Sequence, residues 1–115
     1  MDQKTLVNLG RVDQIALGHG RCFAVGGEEI AVFRLRGGKF AAVENRCPHR
    51  QGPLSEGLLG NGKVVCPLHG HKFDLASGEG TEKGERVRAF EVREQYGEII
   101  LDFSGSGLRP EGRKD

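Results

Sequence analysis

Apolar residues along this chain fall in short runs, and none recurs at helical spacing over ten or more positions. The runs Arg21–Val25, Glu28–Arg36, Lys39–Asn45, Arg86–Glu94 and Glu98–Phe103 are rich in Val, Ile, Phe and Ala, which predicts strands. Gly26-Gly27 and Gly37-Gly38 each separate two runs by two residues, the length of a tight hairpin whose turn needs positive φ. Gln95-Tyr96-Gly97 predicts a third hairpin. The final run alternates, with Ile99, Leu101 and Phe103 on one face and Glu98 and Asp102 on the other. The pattern predicts an all-β chain, an antiparallel sandwich or barrel-like fold.

Residues 46–85 break the pattern. They hold three of the four prolines, two of the three cysteines and three of the four histidines, with Gly52, Gly57, Gly60, Gly62, Gly70, Gly78, Gly80 and Gly84 between them. So long a loop-rich stretch inside a compact domain is usually functional. From Ser104 onward there is almost nothing to bury, and residues 105–115 are expected to be a disordered tail. The 115 residues suit one domain. The 19 glycines, where average usage would give roughly 8, indicate many tight turns or close backbone approaches.

Charge narrows the partners. Seventeen Lys and Arg against 16 Asp and Glu leave a formal charge of +1, without the basic stripe that nucleic acid or an anionic membrane would require. No apolar run approaches the roughly 20 residues of a bilayer span, and the start lacks the layout of a secretory signal. The expected location is cytoplasmic, with no nucleic-acid and no membrane partner. Three cysteines, an odd number, do not read as a disulfide framework.

Cys47-Pro48-His49 and Cys66-Pro67-Leu68-His69 carry the chemistry. Two thiols and two imidazoles in paired short loops form a four-ligand set of mixed softness. Coincidence is one reading, although packing does not place cysteine in Gly- and Pro-rich loops. Structural zinc is a second, although zinc fingers usually pair Cys with Cys and His with His, with two to four residues between the first pair. The third is a Rieske [2Fe–2S] centre, in which two histidines replace two cysteines on one iron.

The two loops closely resemble the C-x-H and C-x-x-H motif of the Rieske family, and the likeness continues through Gly70, Phe73-Asp74 and Gly78. The resemblance implies a Rieske-type antiparallel β-sandwich over residues 1–104, with an inserted cluster-binding subdomain at about 45–82. It implies one [2Fe–2S] cluster per chain, Cys47 and Cys66 on one iron and His49 and His69 on the other. It also bears on redox tuning. Respiratory-complex members carry an extra loop cysteine pair, matched here by Gly52 and Leu68, and cluster hydrogen-bond donors matched by His71 and Phe73. Phe73 has no hydroxyl, so a potential toward the low end of the Rieske range is expected.

No histidine follows His71 to build an oxygenase iron site, and no glycine motif opens a nucleotide-binding helix. An electron carrier without catalytic chemistry of its own is the reading that remains. The stretches Cys47–Gly57, with its Pro53-Leu54-Ser55-Glu56-Gly57 run, and Asp74–Glu79 resemble the small subunit of assimilatory NAD(P)H nitrite reductase, which implies a large flavin- and sirohaem-containing partner. The alternative is the ferredoxin of a ring-hydroxylating dioxygenase system, serving an oxygenase and reductase pair. A zinc-stapled or cluster-free interaction module is the alternative of another class.

Other residues carry plainer expectations. Cys22, among apolar neighbours, is expected to be a buried free thiol. His71 is expected to pack beside the cluster loop, and His19 to lie in an exposed turn. Arg50 is either a solvated side chain or an aid to docking an acidic partner. Glu82, Lys83, Glu85, Arg86, Arg88, Glu91, Arg93 and Glu94 read as a solvent face. Pro48 and Pro67 would stiffen the ligand loops, Leu54 and Leu68 would shield the cluster beside Pro53, and the two ligand imidazoles would lie nearest the surface.

Overall fold

The computed structural model describes residues 6–46, 53–68, 70–81 and 84–103. Its strands are β1 (Leu6–Arg11), β2 (Gly20–Val25), β3 (Glu28–Arg34), β4 (Phe40–Glu44), β5 (Leu58–Gly60), β6 (Lys63–Val65), β7 (Lys72–Asp74), β8 (Ala89–Gln95) and β9 (Glu98–Asp102). Among the described residues the helical elements are three 3₁₀ turns, including one at Leu54–Glu56. Six strands form an antiparallel sheet in the order β1-β9-β8-β4-β3-β2, and three form a second in the order β5-β6-β7. The fold is all-β, as the run pattern requires.

Strands β3 and β4 are covered on both faces, which explains their unbroken apolar sequence. Ile30 and Val32 enter one core with Val25, Ala42, Phe90, Ile99 and Leu101. That core joins residues from both halves of the six-stranded sheet, so the sheet must curl upon itself. Ala31 and Phe33 point the other way, into a second core with Val43, Leu54, Val64, Cys66, Phe73 and Val87. The second core glues the small sheet onto the large one.

The turns follow their chemistry. Gly26 and Gly27, at φ 56° and 83°, join β2 to β3, and Tyr96 and Gly97, at 56° and 78°, join β8 to β9. Such turns match the strand twist and need residues that tolerate positive φ. Ile99 and Leu101 are fully buried and Phe103 packs against the same core, as the alternation predicts.

Two boundaries move by more than one residue. Leu35 and Arg36 leave β3 for a wider turn, with the Leu35 N–H donating to the Lys39 carbonyl at 2.8 Å. Arg86–Arg88 precede β8, because Val87 donates to the Gly78 carbonyl and Arg86 bridges Glu79 instead of joining the large sheet. Strands β1 and β5 to β7 went unpredicted. The latter have three residues each, too few to display alternation. The tail from Ser104 lies outside the described residues.

Candidate metal-cluster site

Two loops are held at their roots by polar groups. At the end of β4, Asn45 is 4 % exposed. Its carbonyl accepts the Leu54 N–H at 2.6 Å and its side-chain Oδ1 accepts the Ser55 N–H at 2.8 Å. Arg46 and Pro53 form an isolated antiparallel bridge just beyond. One buried side chain thus pinches together the two ends of the segment that contains Cys47 and His49. Leu54 is fully buried below it.

The second loop starts where β6 ends. Val64 pairs with Phe73 across the small sheet, and the next buried position is Cys66, at 1 % exposure. The Cys66 N–H donates to the His71 carbonyl at 2.7 Å, and the Gly70 N–H donates to the Cys66 carbonyl at 3.0 Å. Gly70 sits at φ 78°, a conformation that glycine adopts without a steric cost. The loop is closed at its base, with Pro67 and Leu68 turned out to solvent.

Cys66 borders an open groove of about 470 Å³, together with Gly57, Leu58, Pro67 and Leu68. A Cβ on Gly57 would stand 2.2 Å from the Val65 carbonyl oxygen, so the segment after Leu54–Glu56 can approach β6 only as glycine. A soft buried donor at the edge of a groove, on a loop rigidly closed by its own backbone, fits an iron–sulfur ligand. Cys66 is in no disulfide.

Of the four residues expected to hold a metal, the structure describes Cys66. Cys47, His49 and His69 lie outside the described residues, as do Pro48, Arg50 and Gly52. Among the described residues no three Cys, His, Asp or Glu side chains come together as a metal site.

Several expectations need revision. Cys22 is exposed, not buried. Strand β2 lies at the edge of the sheet; Phe23 and Val25 point into the core, so the period of two turns Cys22 away from it. Partial desolvation and the nearby Glu29 carboxylate push its thiol pKa up, against the pull of Arg46. Leu68 is 60 % exposed and, with Leu58 at 76 %, forms apolar surface beside the loop.

The charged run is not uniformly a solvent face either. Arg88 pairs with Glu28 and Glu44 and lies over the Phe90 ring, 5.6 Å from its centroid. Burial lowers its pKa. Glu85 is turned inward onto His71, while Arg86, Glu91, Arg93 and Glu94 are exposed. His71 does sit beside the loop, and His19 is exposed. Asn45 and Glu85 were missed because neither belongs to a spacing motif.

The fold is a small two-sheet β protein with a buried cysteine at the root of a backbone-closed loop. The chain belongs to the Rieske family: residues 5–92 match the Rieske [2Fe-2S] domain, and the cofactor of that domain is a Rieske-type [2Fe–2S] cluster. It is 43% identical over 98 residues to a 4beta-methylsterol monooxygenase of Methylococcus capsulatus, an alignment covering 75% of this chain and 26% of that protein. The chain therefore spans about a quarter of the length of that relative.

Among solved structures, it is similar to the ferredoxin of carbazole 1,9a-dioxygenase from Nocardioides aromaticivorans IC177. Identity is 31% and the TM-score 0.77, covering 85% of this chain and 97% of the ferredoxin. A proposed NADH-dependent nitrite reductase small subunit from Mycobacterium tuberculosis shares the fold at 24% identity and a TM-score of 0.81, covering 87% and 96% of the two chains. Among the described residues no helix is long and apolar enough to cross a membrane.

Proposed function

We propose that this chain is a one-electron carrier serving a larger oxidoreductase, with Cys47, His49, Cys66 and His69 as cluster ligands. The observation that carries this reading is the buried Cys66 at the root of a backbone-closed loop, within a family whose domain holds a [2Fe–2S] cluster. When bound, the cluster supplies reversible one-electron chemistry. The chain's own residues do the rest: Asn45 and the Cys66–His71 backbone bonds hold the two loops, and the second core excludes water from below. The exposed Leu58 and Leu68 give a partner an apolar surface beside the loop.

The finer role is the small subunit of an assimilatory NAD(P)H nitrite reductase, with a large flavin and sirohaem subunit as partner. The Pro53–Gly57 run supports it, as does the fold shared with the Mycobacterium chain along 96% of that chain's length. A second reading, the ferredoxin of an oxygenase system, draws on the 31% identity to the carbazole dioxygenase ferredoxin. The tagged chain recovered from nitrate-grown native cells separates them. Co-purification of a large polypeptide with sirohaem and flavin bands supports the first. No stable partner, with the free chain restoring an oxygenase's activity, replaces it with the second.

The cluster's potential is a further expected result. Phe73 is buried and supplies no hydroxyl to a cluster sulfur, so the reduced, more negative state lacks that donor. A redox titration should place the midpoint toward the low end of the Rieske range, which extends down to about −150 mV. A value above about +100 mV, well inside the upper part of that range, would contradict the argument.

A further inference from the structure

Glu85 lies fourteen residues from His71 in sequence, yet its carboxylate straddles the His71 Nδ1, with Oε1 at 2.9 Å and Oε2 at 3.0 Å. Their side chains are 13 % and 22 % exposed. Both carboxylate oxygens lie within hydrogen-bond distance of the one ring nitrogen, so a hydrogen carried on Nδ1 is shared with Glu85. Hydrogen bonds to a charged acceptor in partly desolvated surroundings are the stronger kind.

Both ends of this contact are anchored. The Glu85 carbonyl accepts the Gly80 N–H at 2.9 Å, and a Cβ on Gly80 would meet the Glu85 Cβ at 2.8 Å and Phe73 at 2.9 Å. Glutamate 85 is therefore seated on the segment that backs Phe73. On the other side, the His71 carbonyl accepts the Cys66 N–H, the bond that closes the ligand loop. The chain of contacts runs from Glu85 through the imidazole to the backbone of His71, and from there to Cys66.

We propose that Glu85 is a positioning residue, which through His71 fixes the closing end of the Cys66–His71 loop and so the geometry in which the chain holds its cluster. This rests on the reading of that loop as a cluster-ligand loop. It separates two roles that the sequence merges: His71 is held as part of the frame of the site, and Glu85 is the far support of that frame.

The test uses the full reconstituted chain, with cluster release to a chelator followed by visible absorbance and the electron paramagnetic resonance spectrum of the reduced form. Outer-shell partners of metal ligands typically change affinity by about 10- to 100-fold. Glu85→Ala should release its cluster about tenfold faster or more, with a broadened reduced-state signal. Glu85→Gln keeps an acceptor for the Nδ1 hydrogen and should return both readouts close to wild type. His71→Ala should match Glu85→Ala, and adding Glu85→Ala to it should change nothing further.

Wild-type release and an unchanged signal in Glu85→Ala would overturn the inference, as would additive effects in the double variant. If Glu85→Ala fails to fold, Glu85→Met, which keeps the bulk and removes the acceptor, is read in its place: release as fast as in His71→Ala supports the inference, and wild-type release overturns it. A wild-type chain that stays colourless after anaerobic reconstitution with iron and sulfide would instead overturn the reading of the site, and this inference with it.

Discussion

Cys66→Ser should yield a folded chain that retains no cluster, colourless after anaerobic reconstitution and without a Rieske-type resonance signal on reduction. Iron–sulfur clusters select soft thiolate donors, and a serine oxygen is a harder, far less acidic substitute. The fold has more tolerance than the metal. Cys66 contributes only one small side chain to a core that also contains Phe33, Leu54, Val64, Phe73 and Val87. A buried hydroxyl left without a partner costs about 1–3 kcal/mol, which weakens the chain without necessarily unfolding the large sheet. Circular dichroism of the variant should keep the β signature, while iron and sulfide analysis falls to background. A normal visible spectrum would remove Cys66 from the ligand set.

How much of this could be read beforehand depended on the distance over which a feature is written. The β2–β3 and β8–β9 hairpins were legible because strand, turn and strand are adjacent and Gly26-Gly27 or Tyr96-Gly97 mark the reversal. The inward face of β9 was legible from period two alone. Cys66 was legible as a ligand candidate because its proline and histidine neighbours stand beside it in the chain; its burial was not. Asn45 and Glu85 were not, since each acts on a residue ten or more positions away through one hydrogen-bonding group. The same limit explains Cys22: its apolar neighbours are written locally, but which face of β2 is covered is decided by what packs on it. Local pattern specifies an element; what covers that element is decided elsewhere in the chain.

Gly78→Ala should be the most damaging single-methyl addition outside the ligand loops. After β7, the Asp74 Oδ1 accepts the N–H groups of Ala76 and Ser77 at 2.8 and 2.9 Å, bonds that hold its carboxyl below the usual carboxylate range. The turn closes when the Gly78 N–H donates to the Asp74 carbonyl at 2.8 Å. Gly78 stands at φ 84°, and its carbonyl accepts the Val87 N–H at 2.8 Å. A Cβ there would lie 1.9 Å from the Val87 carbonyl oxygen, a backbone atom that cannot rotate aside. The left-handed conformation alone costs a non-glycine residue about 1–2 kcal/mol. Overpacking adds about 1–3 kcal/mol, so the sum is about 2–5 kcal/mol. At about 4–8 °C per kcal/mol for a domain of this size, the melting temperature should fall by about 10 °C or more. Gly37→Ala is the control, because Gly37 has a similar φ of 76° but nothing within 4 Å of the added methyl. It should lose only the conformational part. Equal losses in the two variants would show that the segment leading to Val87 yields to the methyl. A much larger loss at Gly78 would show that it does not, and that the segment backing Phe73 and Glu85 is rigid.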